Sequence, residues 1–87
     1  MPYTVELAPA AQRDLRRLLP QIKLRLAAPI EALSQPPRPP GVRKVQGQER
    51  TWRIRVGSFR VIYDLYEDQQ LVVILKVDRR GESTYRL

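Results

Sequence analysis

The stretch TWRIRVGSFRVIYDLY, residues 51–66, decides how this chain folds. Apolar and polar residues alternate on both sides of Gly57-Ser58. A period of two marks β-strands, and glycine at the first central position suits a two-residue type II′ hairpin loop. That loop sets the register: Val56 opposite Phe59, Arg55 opposite Arg60, Ile54 opposite Val61, Arg53 opposite Ile62, and Trp52 opposite Tyr63. Alternation then sends Trp52, Ile54, Val56, Phe59, Val61 and Tyr63 to one face, which is the core side. Arg53, Arg55 and Arg60 fall on the other. Like charges opposed across a sheet are destabilising, so the Arg55–Arg60 pairing makes sense if an anion sits between the two in the working state.

Working outward, LVVILKV (residues 71–77) is a third strand. A three-residue loop at Glu67, Asp68 and Gln69 would set Leu65 opposite Leu71 and Arg60 opposite Lys76, with Val73, Leu75 and Val77 on the core side. Further alternation turns Asp78 and Arg80 to the cationic side and Arg79 to the other. Arg53, Arg55, Arg60, Lys76 and Arg80 would then form one cationic surface. Open antiparallel sheets often have a solvated polar face, but five cations against one aspartate is lopsided for such a face.

Before the hairpin, YTVEL (residues 3–7) reads as a short strand. Residues 9–19 follow a helical period, with Ala11, Leu15, Leu18 and Leu19 on one face and Pro9 suited to the first turn. Pro20 opens a second helix whose apolar stripe is Ile22, Leu26, Ile30 and Leu33; Pro29 should kink it or end it early. Four prolines and two glycines in SQPPRPPGVRKVQGQER (residues 34–50) stop regular structure, so this segment reads as a stiff connector, with a proline-rich recognition segment as the alternative. Its Arg43, Lys44 and Arg50 are candidate phosphate contacts, as is Arg79. STYRL (residues 83–87) could add a last strand. The expected class is α+β: an N-terminal strand, a two-helix antiparallel hairpin, then a mainly antiparallel three- to four-stranded sheet packed on the helices, all in one domain spanning residues 1–87.

Composition narrows the chemistry. The 87 residues carry a net charge of +7 with a pI near 10.6, which favours polyanionic partners. The charge is segregated: residues 38–60 hold seven cations and one carboxylate, and residues 61–75 hold three carboxylates and no cation. There is no histidine and no cysteine, which removes the commonest general base, the commonest metal ligand and any disulfide. No acidic cluster points to a metal, and no cofactor is expected. No run reaches the length of a membrane span and no signal peptide opens the chain, so the expected compartment is the cytoplasm.

The order of elements, the segment P-P-x-P-P-G-x-x-K-V-x-G, the hairpin W-R-I-R-V-G-S-F-R-V-I-Y and the terminal V-D-R-R-G-E-S-T-Y resemble the RelE/ParE superfamily of toxins from toxin–antitoxin pairs, over essentially the whole chain. The resemblance implies a RelE-like fold and one of two activities. RelE-like members are ribosome-dependent endoribonucleases that cut messenger RNA in the ribosomal A site. ParE-like members poison DNA gyrase and lack the nuclease residues; an inactive homologue is a third possibility. Carried over by position, the RelE-like catalytic residues would be Arg53, Arg55, Arg60, Arg80 and Tyr85. Arg79-Arg80 stands where related toxins often have His-Arg, and the two hairpin arginines stand where lysine is common. Arginine stays protonated and is a poor base, so Tyr85, Glu49 and Glu82 are the candidates for proton transfer, Tyr85 first on the resemblance. The expected reaction is metal-independent attack of the 2′-OH on phosphorus. The expected partners are messenger RNA, the ribosome and a cognate antitoxin in a hetero-oligomer, with no membrane.

Overall fold

A computed structural model describes residues 2–35 and 41–79. The elements run β1 (Thr4–Leu7), α1 (Pro9–Arg16), α2 (Pro20–Glu31) with a 3-10 turn at Ala32–Ser34, β2 (Arg43–Lys44), β3 (Thr51–Val56), β4 (Phe59–Tyr66) and β5 (Leu71–Arg79). They build a five-stranded sheet in the order β1-β5-β4-β3-β2, antiparallel except for β1 alongside β5. The sheet is therefore one strand wider than the sequence indicates, because Arg43–Lys44 of the connector pairs with Arg53 and Trp52. The segment 83–87 lies outside the described residues.

The local chemistry explains the helices. Pro9 and Pro20 each occupy a first turn, where a missing N–H leaves no bond unmade. No side chain caps α1 by the usual hydroxyl or carboxylate, but Gln12 Nε2 donates to the Leu7 carbonyl at 3.0 Å. The first helix stops at Arg16, three residues short of the sequence reading. Leu19 precedes a proline and is held in the extended region (φ −64°, ψ 150°), so it leaves the apolar face and is 59% exposed. Pro29 does not end α2 at once: the helix runs on to Glu31 and then tightens into the 3-10 turn.

Both helices cover one face of the sheet. Ala11, Leu26, Ile30 and Leu33 meet Phe59, Val61, Tyr63, Leu65, Val72, Ile74 and Val77 in one buried cluster. Trp52, Ile54 and Val56 pack half-buried at its margin, where β3 approaches the edge of the helical cover. The β3–β4 register is the expected one at every pair, and Gly57 has the positive φ (60°) that the hairpin loop requires.

The β4–β5 ladder departs from expectation. The turn has four residues, Glu67 to Gln70, so Tyr66 faces Leu71 and Leu65 faces Val72. The register then shifts between Tyr63 and Ile62: Tyr63 faces Ile74, but Ile62 faces Lys76, and Leu75 is the extra residue of a β-bulge. Hence Val72 and Ile74 are buried in place of Val73 and Leu75, while Val77 is buried as expected. The cause is local. LVVIL is apolar at every position, so alternation cannot choose its phase. The bulge changes phase before Lys76 would enter the core.

Truncating Leu26, 1% exposed, to alanine should cost about 2–5 kcal/mol of unfolding free energy. The Leu24→Ala change, at a residue 76% exposed, should stay within about 0.5 kcal/mol. Urea denaturation of the two variants checks this; equal losses would contradict the core assignment.

Candidate functional site

The sheet face turned away from the helices gathers the arginines. Arg55 lies opposite Arg60 on β4, and Arg53 lies opposite Arg43 on β2. Two like-charged pairs thus sit two residues apart on one face. Each such pair should cost about 0.2–1 kcal/mol. Arg43 and Arg55 are exposed, Arg53 is half-buried and Arg60 is only 6% exposed. Gly41, Arg43, Arg53, Ile54 and Arg55 line an open depression of about 310 Å³.

Asp78 completes the row. The bulge places it, not Lys76, across β4 from Arg60. Arg60 Nε donates to Asp78 Oδ1 at 3.3 Å, and both side chains are more than nine-tenths buried. A buried charge is costly unless paired, and Asp78 supplies that pairing. A bound phosphate is therefore not needed to offset Arg60, although the exposed Arg55 beside it still presents its charge to solvent.

The remaining predicted residues divide. Lys76 turns from the cationic row to α1, where its Nζ lies 3.6 Å from Asp14 Oδ2; the same oxygen accepts the Val77 N–H at 2.9 Å. Lys44 pairs with Trp52 on the helix side and stands 5.9 Å from its ring centroid. Arg79 faces Phe59 and lies over its ring at 5.3 Å. Arg50 stacks over Tyr66 at 4.8 Å, at the opposite end of β3 from Arg55, in a depression shared with Glu49, Glu67 and Asp68. Of the expected surface, Arg53, Arg55 and Arg60 come together. Arg80, Glu82 and Tyr85 lie outside the described residues.

Two placements are not legible in the sequence. Arg43 is a candidate phosphate contact by sequence, but its position opposite Arg53 is hidden because its two-residue strand lies in a proline- and glycine-rich segment; the one signal is the alternation Val42-Arg43-Lys44-Val45. Asp78 was placed on the correct side, but its partner depended on a bulge that no pattern marked. At the far end of the same face, Asp64 accepts bonds from Thr51 Oγ1 (2.6 Å) and Tyr66 OH (3.4 Å), which occupies that carboxylate. Guanidinium groups spaced in this way can grip successive phosphates through bidentate hydrogen bonds, and they cannot act as bases.

Comparison with known proteins agrees with this fold. A family model described as the ParE toxin of the type II toxin–antitoxin system parDE matches residues 5–84. The toxin RelG of Mycobacterium tuberculosis is 37% identical over 86 residues, covering 94% of this chain and 95% of RelG. Among solved structures, the fold is similar to a chain of the RelBE2 toxin–antitoxin complex of M. tuberculosis (TM-score 0.80, 32% identity, 94% of this chain and 95% of that one). It is equally similar to a chain of the archaeal RelE–RelB complex of Pyrococcus horikoshii OT3 (TM-score 0.81, 28% identity, 94% and 99%).

Replacing Arg55 by threonine should remove one like-charge opposition and stabilise the fold by up to about 1 kcal/mol. The same change should lower affinity for a single-stranded RNA oligonucleotide and reduce the log–log salt slope of binding by about 0.7. Thermal melting and fluorescence anisotropy across a salt series check both effects. Unchanged RNA affinity would remove Arg55 from the interface.

Proposed function

This chain belongs to the RelE/ParE superfamily of type II toxins, and we propose that it is a ribosome-dependent endoribonuclease that cuts messenger RNA without a metal. The observation that carries the reading is the convergence of Arg43, Arg53, Arg55 and Arg60 on one sheet face. A nucleic acid backbone is the polyanion whose spacing suits a row of arginines, and RNA carries its own nucleophile.

In this mechanism the 2′-oxygen attacks the adjacent phosphorus and the bond to the 5′-oxygen breaks. A base takes the 2′-OH proton and an acid returns one to the leaving 5′-oxygen. The products are a 2′,3′-cyclic phosphate, which water can open to a 3′-phosphate, and a 5′-hydroxyl end. Arg55, the exposed member of the central pair, contacts the scissile phosphate and stabilises the charge that grows on its oxygens. Arg53 and Arg43 hold the neighbouring backbone in line. Arg60 adds positive potential from the neighbouring strand. Glu49 precedes β3 at the end remote from Arg55, at least about 13 Å along the strand, which argues against it as the base. Tyr85, the candidate that the resemblance supplies, takes that role, and Arg80 joins the phosphate contacts. The ribosome supplies the alignment that a site without histidine lacks, which places the activity in the cytoplasm.

The regulator is an antitoxin. The M. tuberculosis and P. horikoshii relatives were solved in toxin–antitoxin complexes, and an acidic antitoxin segment over the arginine face would quench it. The matched family model is that of ParE, which favours a second reading: inhibition of DNA gyrase with no nuclease chemistry.

Purified protein added to translating ribosomes, with messenger 5′ ends mapped, separates the two. The nuclease reading expects cuts within messages that Arg55→Ala reduces by about 10²–10³-fold, and that Arg80→Ala also reduces. Intact messages beside a RelE control that cleaves would overturn it. Inhibition of gyrase supercoiling that persists in Arg55→Ala would establish the second reading.

A further inference from the structure

A carboxylate in the middle of an anion-binding face needs a reason. Asp78 lowers the positive potential that RNA would feel, so it contributes nothing to ground-state affinity. It is also kept at some expense: its Oδ2 is buried and has no hydrogen-bond partner among the described residues, and orphaned buried acceptors are uncommon. Its position depends on an irregularity. Had β5 continued in the register of Tyr63–Ile74, Val77 would face Arg60 and Lys76 would face Val61. The bulge at Leu75 advances the strand by one residue and brings Asp78 to Arg60 instead. Asp14 of α1 holds the shifted segment by accepting the Val77 N–H at 2.9 Å.

The geometry of the pair indicates what is gained. Asp78 engages Arg60 through Nε, 3.3 Å from Oδ1. A bond at Nε sets the rotation of the guanidinium plane within the confines that burial already imposes on Arg60. Arg60 in turn stands directly opposite the exposed Arg55. A fixed cation directly across from an exposed one restricts where the exposed one can go, because the two repel. Charge stabilisation in a transition state depends on such donors being in place before reaction.

We propose that Asp78 is a positioning residue for phosphodiester cleavage: it locks the Arg60 guanidinium, and through it the stance of Arg55, at the cost of weaker RNA binding. This rests on the nuclease reading above. It separates Asp78 from a residue that only stabilises the fold, since affinity and turnover should move in opposite directions when it is neutralised.

The test is Asp78→Asn, measured three ways. Turnover on ribosomes should fall by about 10²-fold, the scale of a small misplacement of reacting groups. Binding of a 2′-O-methyl RNA oligonucleotide, which has no nucleophile, should become about threefold tighter as one nearby negative charge is lost. Hydrogen exchange at Arg60 Nε, read by NMR, should become faster than in the wild type. Wild-type turnover, or turnover and affinity falling together, would overturn the proposal. If Asp78→Asn does not fold, the double variant Arg60→Met with Asp78→Leu removes both charges and should preserve the fold. It should bind RNA yet show the same loss of turnover; full turnover in that variant would overturn the proposal. If the wild-type protein cleaves nothing, the nuclease reading fails by itself, and equal Arg60 Nε exchange in wild type and Asp78→Asn would then separately overturn the hold of Asp78 on Arg60.

Discussion

The rest of the structure depends on the burial of one side of β4. Phe59, Val61, Tyr63 and Leu65 are all at most 7% exposed, and β4 is paired on both edges, to β3 and to β5. A strand with that many buried alternate residues cannot slip by one without turning its whole core set to the other face. Arg60 is therefore committed to the face away from the helices. Pairing with β3 then fixes Arg55 beside it and Arg53 two residues on. The cationic face is a consequence of packing on its reverse.

Commitment of that kind explains what the sequence made legible. The hairpin register and the two faces of β3 and β4 could be read because polar and apolar residues alternate without a break and Gly57-Ser58 marks the turn. The helix stripe Leu26, Ile30, Leu33 could be read for the analogous reason at a period of 3.6. Where every residue is apolar, as in Leu71 to Leu75, no phase is encoded, and the four-residue turn and the bulge were lost together. The short β2 was masked by the prolines and glycines around it. Arg53, Arg55 and Arg60 of the site were thus visible in advance. Their neighbours Arg43 and Asp78 depended on pairings that only the fold supplies.

The site itself is a compromise between electrostatics and stability. Two opposed arginine pairs on one face work against folding, and among the described residues a carboxylate relieves the one at Arg60, where Asp78 stands beside it. Lys76, Lys44, Arg50 and Arg79 are drawn instead to Asp14 or to aromatic rings elsewhere on the molecule. On the sheet face itself the exposed cations are Arg43 and Arg55, with Arg53 half-buried between them. The opposition of like charges there, rather than exposure, sets this face apart from the basic surface around it. The helical layer is basic too, with Arg13, Arg16, Arg17, Lys23 and Arg25 exposed, so charge alone does not identify the face proposed to meet RNA.

The most direct measurement follows from that ambiguity. Resonances of the arginine Nε–H groups, assigned by NMR, can be followed while a 2′-O-methyl single-stranded RNA is added at moderate salt. The account predicts that Arg43, Arg53 and Arg55 shift together and saturate at one equivalent, while Arg13, Arg16 and Arg25 on the helices stay in place. Shifts confined to the helical arginines, with the sheet arginines unmoved, would contradict the central claim that the face opposite the core is where this protein holds RNA.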